Sequence, residues 1–429
     1  MPRVLLLESP HASADSVFAK YGIEVRRVSG ALQGNELIEA LSDVDMVGIR
    51  SKTNLTREVL DANPHLTAIG AFCIGTNQID VSAANEAGIA VFNAPYANTR
   101  SVVELAIAEA IALTRHLTDK NNALQAGVWE KNASGAHEVR GKTLGIVGYG
   151  SIGTQLGIIA EALGMSVLFY DVAERLAIGN AVRMRSLSQL LERADIVSIH
   201  IDGRASNAGF FGRDRVMAMK EGAILINLSR GSVVDLEAVR ERLTDGSLSG
   251  AGIDVFPREP NANGDPFSCS LAGLDNVILT PHIGGSTIEA QESIGSFVAE
   301  KLVSYWRKGL TGLSVNMPEV DASPAPSARH RVTWIHSNTP GALAHVNSIF
   351  AAAHANIDAQ TLVTSGEIGY MVTDLASELP ESALTELSEL DQSIRLRVLH
   401  RDRRAAQRPT RPCNRRIFNG DSSILPVRH

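Results

Sequence analysis

Gly141–Asp171 reads GKTLGIVGYGSIGTQLGIIAEALGMSVLFYD: strand, glycine turn, helix, strand. The apolar run Leu144–Val147 has the length of a buried parallel strand. Gly148, Gly150 and Gly153 then give G-x-G-x-x-G at the point where a helix opens. The first glycine permits a tight turn and the second lets backbone approach a pyrophosphate. The third lets helix and strand pack closely, so that an anion can sit on the helix N-terminus at Ser151 and Ile152. Asp171 ends the second strand, Ser166–Tyr170, where a carboxylate hydrogen-bonds the adenosine ribose hydroxyls. An acid there also repels a ribose phosphate, so the unit predicts NAD rather than NADP.

At 429 residues the chain is too long for one ordinary core and implies two or three domains. Charged residues make up 20% and the formal net charge is -7, which gives no general attraction to nucleic acid or to an anionic membrane. No apolar run reaches transmembrane length, and MPRVLLLESP enters a strand-like run without the features of a signal peptide, so a cytoplasmic location is expected. Cys73, Cys269 and Cys413 form no close pair, which argues against a disulfide framework or a thiolate zinc site, and no metal-ligand cluster is visible elsewhere.

Outward from the glycine turn, residues 1–98 alternate helical segments with short apolar strands at Arg3–Leu7, Val25–Val28, Met46–Arg50, Leu66–Phe72 and Ala90–Asn93. A second α/β unit spans 99–284, with later strands at Ser198–Ile201, Ile224–Leu228, Gly252–Val255 and Val277–Thr280. Ser101 with Glu104 predicts a capping box for the run VVELAIAEAIAL, a helix apolar enough to be buried between the units. Ser286 and Glu289 are expected to cap another helix that runs towards Trp306 and returns the chain to the first unit. The first domain is then discontinuous, 1–98 with 285–316. The expected class is α/β, with two doubly wound parallel-sheet, Rossmann-like domains. Residues 317–330, with three prolines, read as a linker, and 331–400 carry the β-α-β-β-α-β order of a ferredoxin-like domain. The segment 401–429 has eight arginines against two aspartates and no periodicity, so disorder is expected, and without an aromatic platform it predicts no nucleic-acid partner.

Arg230 follows AILINLS, Asp254 and Glu259 lie in AGIDVFPREP, and His282 follows VILTP. All lie just beyond the carboxyl ends of strands, where open parallel sheets bind ligands. A dehydrogenase of hydroxy acids needs a base for the hydroxyl proton, and histidine titrates in the useful range. It also needs a cation to hold the carboxylate and polarise the developing carbonyl, a task that suits a forked guanidinium. Glu259 can orient the His282 imidazole and hold its protonated form. Singly, an arginine after a strand is usually a surface residue and a histidine after Thr-Pro can merely cap a helix. Their joint placement behind an NAD fingerprint favours the catalytic reading.

Leu228-Ser229-Arg230-Gly231, Asp254-Val255-Phe256-x-x-Glu259-Pro260 and Thr280-Pro281-His282-Ile283-Gly284-Gly285-Ser286 resemble signatures of the D-isomer-specific 2-hydroxyacid dehydrogenases. The resemblance implies that Arg230, Glu259 and His282 are catalytic, that Asp254 approaches the nicotinamide, and that Leu228, Ser229, Gly284 and Gly285 join Arg230 and His282 among the NAD contacts. Over about residues 3–400 the chain looks most like bacterial members that oxidise 3-phosphoglycerate to 3-phosphohydroxypyruvate, the first step of phosphorylated L-serine synthesis. That likeness rests on Ile49–Thr53, Phe72–Gln78, Phe92–Pro95 and Asn98–Ser101. It makes Arg50, Ser51, Lys52, Asn98, Arg100 and Lys131 the expected substrate contacts, with more cations than a bare carboxylate needs. Side activity on 2-oxoglutarate stays open. The rival readings are a hydroxypyruvate or glyoxylate reductase of the same family and a non-catalytic NAD-sensing binding protein.

Residues 331–400 look like an ACT domain, a ligand-sensing module. Ile335–Gly341 enters a helix N-terminus, which favours a carboxylate, and Asn338 and Asn356 offer amide groups of both signs. The resemblance implies L-serine as effector, held by His336, Asn338 and Asn356 at an edge shared by two subunits, and hence a homotetramer. Three departures stand out: Ile201–Ser206 lacks the usual proline, Thr339 replaces an arginine, and 401–429 has no counterpart.

Overall fold

The computed structural model describes residues 1–260 and 264–400. A first sheet is parallel and five-stranded: β1 (Arg3–Leu7), β2 (Glu24–Val28), β3 (Met46–Ile49), β4 (Ala68–Ala71) and β5 (Ala90–Phe92), in the order β2-β1-β3-β4-β5. Every residue of β3, β4 and β5 is buried, as expected of strands covered by helices on both faces.

The second sheet is parallel and seven-stranded: β6 (Thr143–Val147), β7 (Ser166–Tyr170), β8 (Val182–Arg183), β9 (Ile196–Ile199), β10 (Ala223–Asn227), β11 (Leu248–Ile253) and β12 (Val277–Leu279). Its order is β12-β11-β10-β9-β6-β7-β8, with the chain reversing direction of growth between β6 and β9. That reversal places a crevice at the carboxyl ends of β6 and β9, beside the glycine turn. The two-residue β8 has no apolar signal and is not legible in the sequence.

The Thr99–Thr114 helix buries Val102, Val103, Ala106, Glu109, Ala110 and Leu113 against the second sheet. It starts two residues before Ser101, so the expected capping box does not form, and the Ser101 hydroxyl instead meets that of Thr287 at 2.8 Å. The Ile288–Lys308 helix is likewise capped by Thr287 rather than Ser286. Thr287 has the extended backbone that a cap needs, and its hydroxyl accepts from the Ala290 N–H at 3.1 Å. That helix packs on β4 and on the Ser13–Lys20 helix, after which Asn316 bonds both Val91 and Ile89 at 2.8 Å beside β5. Residues 288–316 therefore complete the first sheet's core.

The third sheet is antiparallel: β13 (His330–Ser337), β14 (Ile357–Ser365), β15 (Ile368–Leu375) and β16 (Ser393–His400), in the order β14-β15-β13-β16. It is docked on the first unit. Arg395 donates to the carbonyls of Pro64, Leu66 and Ala87, and the Tyr370 hydroxyl donates to Gly309 O at 2.7 Å. The stretch 317–330 packs down as well, burying Met317, Val320 and Ala328. Among the described residues no helix is long and apolar enough to cross a membrane, and no cluster of three metal-ligating side chains forms. The expectation of disorder for 401–429 falls outside the described residues, as does Cys413.

Candidate active site

The turn after β12 carries His282 in a left-handed conformation, φ 54°. Such a backbone costs roughly 1 kcal/mol for a residue with a side chain, and persists where the surroundings dictate it. Asp254, 1% exposed at the end of β11, supplies the constraint. Its carboxylate accepts from the Thr280 hydroxyl at 2.6 Å and from the N–H groups of Ile283 and Gly284 at 2.8 Å each, while its carbonyl takes the His282 N–H at 2.8 Å. Asp254 thus builds the turn that presents the imidazole. His282 Nδ1 meets Glu259 Oε2 at 2.8 Å, and the other Glu259 oxygen accepts from the Phe256 N–H at 3.1 Å. The hydrogen bond to Glu259, together with its charge, holds the His282 pKa above the ordinary imidazole value against the opposing effect of burial. Burial pushes Glu259 up, but the bonds from His282 and Phe256 more than offset it and leave the carboxyl below its usual range. The result is a carboxylate–imidazole pair with Nε2 left to serve a substrate.

Arg230 leaves the end of β10 half-buried and donates to Ser229 O at 2.7 Å. Its guanidinium lies 3.8 Å from where a Cβ on Gly75 would stand, so it bridges the cleft towards the first unit. Gly203 packs on its aliphatic stem, which places the proline-less loop 201–206 against Arg230; there Asp202 pairs with Arg204. Fully buried Asn227 holds the bend, accepting from the Ser229 N–H at 3.1 Å and hydroxyl at 2.7 Å and donating to Arg230 O at 3.2 Å. Sequence reasoning missed it, although an amide closing the apolar run AILIN is a signal. Gly231 packs directly on the Phe256 backbone, bringing the arginine and glutamate loops side by side.

Further along the carboxyl edge, Gly148 has φ 95°, and a Cβ there would stand 2.5 Å from His200 O. Gly153 is closed against Gly148 in the same way, whereas nothing lies within 4 Å of a Cβ position on Gly150. Two glycines are thus needed for packing and the middle one leaves open space above the turn, as a pyrophosphate requires. Asp171 accepts from the Tyr149 N–H and the Ala173 N–H at 2.8 Å each, with Arg175 Nε at 3.4 Å. The acid is tied to the glycine turn itself. These residues fit NAD.

Across the cleft, a cavity of about 390 Å³ is lined by Ser9, His11, Arg50, Ser286, Thr287, Ile288 and Gln291. No described residue pairs with the Arg50 guanidinium or the Lys52 ammonium. Asn98 is buried with its amide packed on Gly285 and its Oδ1 unpartnered, so it belongs to the same crevice. Arg100 is ion-paired with Glu104 at 2.6 Å on an exposed helix turn. Lys131 stands apart. Its exposed stretch is held by Lys120–Glu130, and the neighbouring Asp119 caps Asn276 at the amino end of β12, the edge opposite His282. A larger cavity of about 690 Å³ between the Ser13–Lys20 and Ile288–Lys308 helices holds none of the expected site residues.

In the third sheet, the His336 ring is buried, stacks on Trp334 at 4.2 Å between centroids and covers Gly369. Its Nδ1 meets Ser337 O at 2.9 Å, and burial holds its pKa below the ordinary value. Asn338 donates to Gly366 O at 3.0 Å, and Asn356 donates to Asp358 at 3.2 Å.

Residues 107–284 match the NAD-binding domain of the D-isomer specific 2-hydroxyacid dehydrogenases, and 333–395 match an ACT domain like that of the AHAS small subunit. The D-3-phosphoglycerate dehydrogenase of Haemophilus influenzae is 49% identical, over 93% of this chain and 97% of its own. That of Escherichia coli K12 is 47% identical at the same coverage. Among solved structures, the Aquifex aeolicus D-lactate dehydrogenase complexed with NAD and lactic acid is similar with a TM-score of 0.62 and 27% identity, covering 71% of this chain and 95% of its own. The chain belongs to the D-isomer specific 2-hydroxyacid dehydrogenase family of NAD-dependent oxidoreductases.

Proposed function

We propose that the chain oxidises D-3-phosphoglycerate to 3-phosphohydroxypyruvate with NAD, opens the phosphorylated route to L-serine in the cytoplasm, and is inhibited by L-serine. The observation that carries this reading is the pairing of two sets of groups across one cleft. His282 with Glu259, and Arg230, stand beyond the second sheet, and Arg50 and Lys52, cations with no partner among the described residues, stand beyond the first. Arg230 holds the carboxylate and polarises the carbon–oxygen bond that is changing order. His282 takes the hydroxyl proton at Nε2, and Glu259 stabilises the imidazolium that results. NAD, which the glycine turn and Asp171 would hold, would supply the acceptor for the hydride of the same carbon. Arg50, Lys52, Ser51 and Asn98 receive the phosphate end; Arg100 and Lys131 are weaker candidates in a single chain. The relatives' names support the phosphorylated substrate.

We further assign residues 1–98 with 285–316 to substrate binding, 99–284 to NAD, and 331–400 to regulation, with His336, Asn338 and Asn356 as the serine site in a homotetramer. Following NADH absorbance with 3-phosphohydroxypyruvate, hydroxypyruvate, glyoxylate and 2-oxoglutarate tests the reading. Turnover should be best on the phosphorylated acid. A preference for hydroxypyruvate or glyoxylate would replace the substrate, and NADH binding without turnover would replace the activity.

A further inference from the structure

We propose that Glu8 is the positioning residue of the phosphate-recognition loop: its carboxylate locks residues 50–53, and so sets the preference for a phosphorylated substrate. The proposal rests on the reading of Arg50 and Lys52 as the phosphate cations. Glu8 Oε1 accepts from the N–H groups of Arg50 at 3.3 Å and Thr53 at 2.8 Å, and Oε2 accepts from those of Ser51 at 3.1 Å and Lys52 at 2.9 Å. A carboxylate offers about four acceptor positions, and here four consecutive amides fill them. The loop's carbonyls are held too, Arg50 O by Gln78 Nε2 and Lys52 O by Gln33 Nε2 at 2.7 Å. With all four N–H groups and two of the carbonyls satisfied from within, this loop has no free backbone donor and meets an anion with its side chains.

The backbone around Glu8 is bent for the purpose. Glu8 and Ser9 have φ 64° and 51°, two successive left-handed residues of which neither is glycine. Such strain is kept where a site depends on it. The Glu8 N–H is held by Val28 O and Gly30 O at 3.1 Å each, which aims the side chain across to the end of β3. The same bend brings Ser9 and His11 to the cavity that Arg50 lines. A run of successive amide N–H groups also forms a concavity that binds anions. With Glu8 seated in it, inorganic anions have no backbone site there, and the substrate's anion must be met by the guanidinium and ammonium.

Glutamine at position 8 would turn one oxygen into a donor facing two donors. Losing two net hydrogen bonds of about 1 kcal/mol each implies an affinity loss of roughly tenfold to thirtyfold. In the full chain, Glu8→Gln should raise KM for 3-phosphohydroxypyruvate by about that factor. Changes in kcat and in KM for NADH and hydroxypyruvate should be much smaller. Glu8→Asp, one methylene short, should fall between the two, and added formate should restore affinity to Glu8→Gly by entering the vacated nest. Equal losses on phosphorylated and unphosphorylated substrates, an unchanged KM, or a lowered Tm without the KM split would overturn the proposal. Should Glu8→Gln be insoluble, Glu8→Asp decides by the same split. A wild type with no preference for the phosphorylated acid overturns the underlying phosphate reading, whereas a preference that survives Glu8→Gln overturns the role of Glu8 alone.

Discussion

At the scale of single residues, the 2.8 Å contact between His282 and Glu259 decides which way the proton is held. Because Glu259 raises the His282 pKa, the neutral base needed for oxidation is present above a pH higher than the ordinary ~6.5, and the imidazolium needed for reduction is present below it. Glu259→Gln should therefore move the rising limb of oxidative kcat/KM to lower pH and weaken reduction at neutral pH, as pH profiles in both directions would show. An unmoved limb would mean that Glu259 does not act on this imidazole. Glu109 shows the opposite kind of shift. It is 2% exposed, both of its oxygens lack a partner, and burial with the nearby Asp254 charge pushes its pKa up to about 8. The folded chain then holds one proton more than the unfolded chain between the unfolded pKa of ~4.3 and about 8, so stability falls as pH rises through that window. Glu109→Gln removes the ionisation, and its Tm advantage over wild type should grow from pH 5 to pH 8. A pH-independent difference would refute the shift.

Elements meet at two crossings between the units, the start of the Thr99–Thr114 helix and the start of the Ile288–Lys308 helix, joined by the Ser101–Thr287 hydroxyl contact. Thr287 is both cap and tie. Thr287→Ala should cost about 1 kcal/mol, typical of a lost N-cap, and Ser286→Ala close to nothing, which thermal melts of the two variants would compare. A larger loss at Ser286 would restore the cap expected from the sequence. Capping motifs are ambiguous when hydroxyls stand in a row, as in Gly285-Ser286-Thr287, because the choice depends on where the backbone turns from extended to helical.

For the molecule as a whole, the third sheet is anchored by a nearly buried pair, Arg331 Nε to Asp374 Oδ1 at 2.7 Å and Nη2 to Oδ2 at 2.8 Å, whose guanidinium also reaches Lys308 O and Ala322 O. Removing either partner of such a pair typically costs 3–5 kcal/mol. The docking ties the third sheet to the first unit at Lys308 and, through Arg395, at Pro64, Leu66 and Ala87. Titrating L-serine and glycine against wild type, Asn356→Ala and a chain ending near Met317 should show serine inhibition in the first and its loss in the other two. Inhibition that survives in all three would place the effector elsewhere.

Local pattern was enough for much of this protein. The strands β1–β5, the glycine turn with its acid and the βαββαβ order follow from short-range periodicity and turn chemistry, and Arg230, Glu259 and His282 were legible as candidates because they lie in the loops that follow β10, β11 and β12, whose carboxyl ends mark the ligand edge. Tertiary structure decided what depends on distant partners. Glu8 lies 42 residues from Arg50, the first of its four amides, and Asn227 and Asp254 act through backbone groups that no motif spells out. The reason is physical: periodicity reports which face of an element is buried, whereas a buried carboxylate or amide is defined by the donors that surround it, and those are assembled only when the chain has folded.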